Sequence, residues 1–118
     1  MIYDLISKFS KKRFWHSTLI FDEIDTGIGG AVADAVGRRM EWLGKSLQVL
    51  AVTHHPQVAA RSSFHMKISK SIKNAVTFTA VEELDDGAKR QEIARMLAGE
   101  TITGEAIAAA AKLMEVVK

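Results

Sequence analysis

Asp22 and Glu23 follow directly on Thr18-Leu19-Ile20-Phe21, and His54 follows directly on Leu47-Gln48-Val49-Leu50-Ala51-Val52-Thr53. Two adjacent carboxylates and a histidine, each delivered at the end of an apolar, β-favouring run, are residue types that nucleotide hydrolysis uses. One carboxylate holds Mg²⁺, usually through water, and the other orients or deprotonates the attacking water. The competing reading is structural. The acidic pair would then cap the next helix, and a histidine after a strand ordinarily serves the fold. Its arrival beside an Asp-Glu pair weighs towards chemistry.

The elements between them decide whether these residues can meet. Apolar Val32, Val36, Met40 and Leu43 fall at helical spacing across 31–43, and Gly44 is placed to end that helix. Strand, helix, strand is a βαβ unit, so the strands at 18–21 and 47–53 are expected to be parallel. Their C-terminal ends then share the sheet edge where open α/β sheets bind ligands. Asp22, Glu23, the loop aspartate Asp25 and His54 are expected at that edge of a mostly parallel sheet. Between the carboxylates and the helix, Gly27, Gly29 and Gly30 permit close backbone approach. This is not a phosphate-cradling loop of the Gly-x-x-x-x-Gly-Lys-Ser/Thr type, and none occurs in these 118 residues.

The strings carry a resemblance. Thr-Leu-Ile-Phe-Asp-Glu-Ile-Asp-Thr-Gly-Ile-Gly-Gly at 18–30 resembles the Walker B and D-loop of the RecN family, bacterial DNA-repair ATPases related to the SMC and ABC proteins. Val-Thr-His-His-Pro-Gln-Val-Ala-Ala at 52–60 resembles its H-loop, and Glu-Ile-Ala-Arg-Met-Leu-Ala-Gly at 92–99 a segment near its C-terminus. The resemblance covers about residues 18–118 and leaves 1–17 as a separate, non-family-like segment.

It implies an α/β fold: part of a P-loop NTPase sheet of the ABC/SMC-like head, with parallel strands and helices, then an antiparallel hairpin and two helices. It implies that Asp22 holds the Mg²⁺ shell, Glu23 is the general base and His54 senses the γ-phosphate. Asp25 would contact an opposite subunit, with Gly27 and Gly29 also on the nucleotide. The implied function is the water-activating half of an ATP site in double-strand break repair, without Walker A or signature motifs. ATP and Mg²⁺ would serve the complete protein and neither would bind this chain alone. The implied partners are a second ATPase head or another copy of the chain, and DNA for the complete protein, in the bacterial cytoplasm at the nucleoid. The alternative is a non-catalytic, self-associating or head-binding module, a truncated remnant.

Composition is globular, with 47% hydrophobic and 25% charged residues. Without cysteine there is neither a disulfide nor a thiolate metal site. No membrane span or signal peptide is expected. The net charge of +2 is uneven. Residues 1–17 set Lys8, Lys11, Lys12 and Arg13 against Asp4, whereas 18–118 carry 12 basic and 13 acidic side chains. The body is therefore no obvious nucleic-acid surface. In 1–17, Phe9, Phe14 and Trp15 interleave with the basic residues, a pattern that can bind nucleic acid. The competing reading is a helix with Leu5, Ile6 and Phe9 on one apolar face.

Downstream, Pro56 is expected to open a short helix to residue 61. Alternation predicts strands at 64–70 and 76–81, joined through Ser71–Asn74. Asp85 and Asp86 are placed to cap a helix over 88–98 with Ile93, Met96 and Leu97 on one face, stopped by Gly99. Thr103 is placed to cap a last helix with Ile107, Ala110, Ala111, Met114 and Val117 as its stripe. Lys67, Lys70 and Lys73 read as a solvated strand face and His65 as structural, while Arg90 and Arg95 either pair with nearby acids such as Glu92 or serve an interface.

Overall fold

The computed structural model describes residues 18–115 and the backbone of 3–8. These form five strands and four helices: β1 (Tyr3–Lys8), β2 (Thr18–Asp22), α1 (Gly30–Leu43), β3 (Gln48–Thr53), α2 (Pro56–Ala59), β4 (Phe64–Lys73), β5 (Val76–Leu84), α3 (Asp86–Ala98) and α4 (Gly104–Glu115). One sheet runs in the order β2-β3-β1-β4-β5.

The βαβ unit forms as expected, with β2 and β3 parallel and Asp22 opposite Val52. The sheet is nevertheless mostly antiparallel, which corrects the expectation of a mostly parallel one. The reason is β1, which pairs antiparallel with both β3 and β4. The first residues thus form a strand and not the apolar-faced helix that Leu5 and Ile6 suggest. Phe9, Phe14 and Trp15 lie outside the described residues, as does Val117.

Helix ends follow their caps. The Asp85 carboxylate accepts from the Ala88 N–H at 2.8 Å, and the Thr103 hydroxyl from the Ala106 N–H at 3.1 Å. Gly99 closes α3 with φ of 77°, where glycine carries no Cβ penalty. The hairpin is longer than the alternation indicates. Lys73 pairs with Val76, so only Asn74 and Ala75 turn the chain, both at positive φ.

Two apolar clusters hold the layers together. Ala33 and Met40 of α1 pack on Val49 and Ala51 of β3 and Val58 of α2, with Phe21 and Val36 beside them. Ala60, Ile93, Ala94, Ala106 and Ala110 join α3 and α4 to the end of α2. The buried stripe of α1 runs through Ala33 where the spacing favoured Val32, which is exposed, as is Leu97 of α3.

Helices cover one face of the sheet. Strand alternation sends Val49, Ala51, Thr53 and His65 inwards to that face, all buried. Ile20, Leu50, Val52, Met66, Ile68 and Val81 project from the other face, each at least partly exposed, Ile20 at 71% and Val81 at 61%. Parallel pairs are normally buried on both faces, and β2 is in addition a sheet edge. The expected consequence is self-association. Sedimentation near 10 µM, the scale of an interface worth about −7 kcal/mol, is expected to give a dimer, and Ile20→Lys to shift it towards monomer. A wild-type chain sedimenting there at 13.0 kDa would contradict this.

Candidate functional site

The parallel pairing of β2 with β3 brings the two chemistry-bearing loops together. The ladder runs one residue beyond the strand, with the Glu23 N–H donating to the Val52 carbonyl at 2.9 Å. Glu23 then adopts φ of 51°, a left-handed conformation uncommon for a residue with a side chain. The Thr26 N–H and hydroxyl both donate to the Glu23 carbonyl, at 3.2 and 2.8 Å, and close the turn. Glu23 Oε1 comes to 2.6 Å from Nε2 of His54. Backbone outliers of this kind collect at functional sites.

This hydrogen-bonded pair does not hold itself together. Its side chains are 44% and 50% exposed, and pairs of that sort contribute about 0–1 kcal/mol. The support lies beneath. Asp25, 3% exposed, accepts a hydrogen bond from the hydroxyl of buried Thr53. The same hydroxyl oxygen accepts from the His55 N–H at 3.0 Å. Asp25 is therefore held by a hydrogen bond within its own chain. Thr53 reads in the sequence only as the last residue of a strand, and nothing in its spacing announced this bond.

Asp22 ends β2 as an exposed carboxylate next to the pair. Carboxylate oxygens suit Mg²⁺, which takes one or two of them and keeps several waters. Among the described residues no three His, Cys, Asp or Glu side chains gather as a metal cage. The fit is to a hydrated ion whose other ligands come from water and phosphate. Gly27, at φ of 79°, shapes the loop, and Gly29 caps α1, its carbonyl accepting from the Ala33 N–H at 2.9 Å. A Cβ at either glycine would meet nothing within 4 Å. The pair stands on open surface, away from the cavities lined by Lys89 and Arg90 or by Leu97 and Leu113.

Behind the loops, α1 and α2 meet closely at Gly37, where a Cβ would lie 3.0 Å from the Gln57 carbonyl and 3.3 Å from Val58 Cα. Buried Arg61 bonds Asp34 at 3.3 Å and lies 3.7 Å from Glu41, so it ties the histidine-bearing segment to α1. The hydrogen bond and charge of the Arg38 guanidinium, with Arg61, hold the Asp34 carboxyl below its ordinary range against the opposing effect of burial. Gly37→Ala is expected to destabilise. Overpacking against backbone costs about 1–3 kcal/mol, against about 1 kcal/mol gained from alanine's helix propensity. A lower urea midpoint at unchanged m-value would show it.

A second polar cluster lies under α3. Lys89 Nζ donates to the carbonyls of Ala60 and Ser62 at 3.3 and 2.6 Å, and burial lowers its pKa to about 8. Lys67 is not simply solvated, as the alternation suggested, because its Nζ pairs with buried Glu92 at 3.1 Å. Arg95 joins them, with Nε 3.0 Å from Glu92 Oε1. Burial would raise the pKa of Glu92, but its bonds to Arg95 and Lys67 outweigh that and hold it below the usual value. His65 sits among these charges, 1% exposed, and neither ring nitrogen finds a hydrogen-bond partner among the described residues.

Comparison with known proteins bears on what this arrangement belongs to. Over 98 residues, 83% of the chain, it is 52% identical to the DNA repair protein RecN of Xylella fastidiosa. The chain is homologous to the C-terminal part of RecN. The RecN of Rickettsia felis is 44% identical over 97 residues, and that of Bacillus subtilis 42% identical over 87. The chain spans about 18% of the length of the first two RecN proteins and 15% of the third. No family model matches it. Among the described residues, no helix is long and apolar enough to cross a membrane.

Proposed function

We propose that this chain supplies the Mg²⁺-holding and water-activating side of an ATP-hydrolysis site in a RecN-type DNA-repair protein. The observation that carries the reading is the 2.6 Å approach of His54 Nε2 to Glu23 Oε1 at the ends of adjacent parallel strands. Asp22 would place one carboxylate in the shell of a hydrated Mg²⁺. Glu23 would accept a proton from the attacking water. His54, hydrogen-bonded to Glu23, would fix the direction of that carboxylate and face the terminal phosphate. Phosphoryl transfer depends on positioning and charge stabilisation more than on covalent chemistry, and this chain has no Gly-Lys-Ser/Thr loop to grip phosphate. The site would therefore be completed by other parts of a head, with a second head or another copy of the chain as partner, DNA as a further partner of the complete protein, and the cytoplasm as its place.

Two measurements test this. Calorimetric titration of the isolated chain with Mg-ATP is expected to give binding weaker than micromolar. In a complete protein carrying this segment, Asp22→Ala is expected to abolish the Mg²⁺-dependent step. Mg²⁺-dependent hydrolysis at an unchanged rate in that variant would exclude Asp22 from the site.

A second reading has its own observation, the partly exposed apolar face of the sheet around Ile20, Val52 and Val81. On that reading the chain is a non-catalytic module that docks on itself or on an intact head. Saturable binding to a complete head, unaffected by replacing Asp22 or Glu23, would favour it.

A further inference from the structure

We infer that Asp25 and Thr53 are positioning residues, a buried latch between the two loops that sets the geometry of the exposed Glu23–His54 pair. The inference rests on the hydrolytic reading for its purpose, though not for its test. Three facts support it. Asp25 lies two residues after Glu23, and Thr53 immediately precedes His54. The Thr53 hydroxyl donates to the Asp25 carboxylate and its oxygen accepts from the His55 N–H, so one atom joins the acidic loop to the histidine loop. Both residues are almost wholly buried, Asp25 at 3% and Thr53 at 1% exposure, while the pair they underlie is open to water.

Burial makes the latch obligatory. A buried carboxylate is costly unless it is hydrogen-bonded. If the Thr53 hydroxyl is lost, Asp25 is left buried without that donor, and the cheapest relief is to swing its loop outwards. Glu23 stands on that loop, held at positive φ by the turn that Thr26 closes. Movement of the loop therefore carries the Glu23 carboxylate away from His54. A solvent-exposed side-chain pair is too weak to resist. The Asp25 carboxylate thus accepts from a side chain on the neighbouring strand while its carbonyl accepts from the Ile28 N–H at 3.4 Å within the turn.

The test reads the pair and not the reaction. Ring proton resonances of His54 in the full chain are assigned with His54→Gln. In wild type, Glu23→Gln is expected to displace them, because it changes the group at hydrogen-bond distance. In Thr53→Val the same Glu23→Gln change is expected to leave them unmoved, while the buried His65 ring signals keep their native positions. Thr53→Ser, which retains the hydroxyl, is expected to restore the displacement. If Thr53→Val does not fold, Asp25→Leu with Thr53→Val removes the buried carboxylate along with its donor; the loop then has no unpaired buried charge to relieve, and the response to Glu23→Gln is expected to be kept. An undiminished response in Thr53→Val, a lost response in the double variant, a Thr53→Ser chain that behaves like Thr53→Val, or a wild type that does not respond to Glu23→Gln would each overturn the latch. Failure of the complete protein to hydrolyse ATP would overturn the proposed function and leave these spectra unaffected.

Discussion

Glu23→Gln in a complete RecN-type protein carrying this segment is expected to lower steady-state ATP hydrolysis by about 10²–10⁴-fold, the range that a positioned general base contributes. ATP is expected to stay bound. Gln keeps the length of the side chain and an oxygen that can lie 2.6 Å from His54 Nε2, as Glu23 Oε1 does. It cannot take up the proton that the attacking water must lose. Charge at Asp22 is untouched, so the Mg²⁺ shell is retained. A nucleotide-loaded state should therefore accumulate, visible as co-purifying ATP and as a longer-lived paired species in light scattering. Turnover within a few-fold of wild type would exclude Glu23 as the base.

The second large effect concerns acid. Burial, reinforced by the positive charges of Lys89 and Lys67 and opposed only by Glu92, lowers the pKa of His65 from 6.5 to about 4. A folded-state value below the unfolded one means that the unfolded chain takes up the proton first. The contribution to stability is therefore complete above about pH 6.5 and is lost as pH falls towards about 4, below which the loss levels off. At 1.36 kcal/mol per pH unit the loss approaches about 3 kcal/mol, a large share of the 5–15 kcal/mol that holds a typical domain together. Depressed carboxyls such as Asp34 and Glu92 add loss in the same direction. Urea denaturation of wild type and His65→Leu across this range separates them. The variant is expected to lose less stability between pH 6.5 and pH 4 than wild type, and parallel curves would rule His65 out as a source.

The site was more legible in the sequence than the sheet that carries it. Glu23 and His54 could be placed together because apolar runs, a helical period and the parallel rule all act locally. The support beneath them could not be read that way. A threonine at a strand end has no spacing that marks it as a partner for Asp25, and the inherited role for Asp25 says nothing about which way its side chain turns. The strand at Tyr3–Lys8 escaped for a different reason. Its apolar and polar residues fit neither period clearly, and what makes it a strand is the slot between β3 and β4, a tertiary effect that outweighs weak local preference. The hairpin was legible, but its turn lies at Asn74 and Ala75 and not across 71–74, because alanine at φ of 62° lacks the Asn-Gly signature of such turns.

The insertion of β1 also has a kinetic side. Its partners run from Leu50 to Thr53 and from Phe64 to Ser69, every one more than forty positions along the chain. Without it the sheet falls into two local pieces, the β2–β3 crossover unit and the β4–β5 hairpin. Joining them requires closing a long loop before any contact repays the entropy, and chains dominated by such distant pairings fold slowly. During synthesis the first strand emerges long before its slot exists, so the centre of the sheet is the part that must wait for the rest.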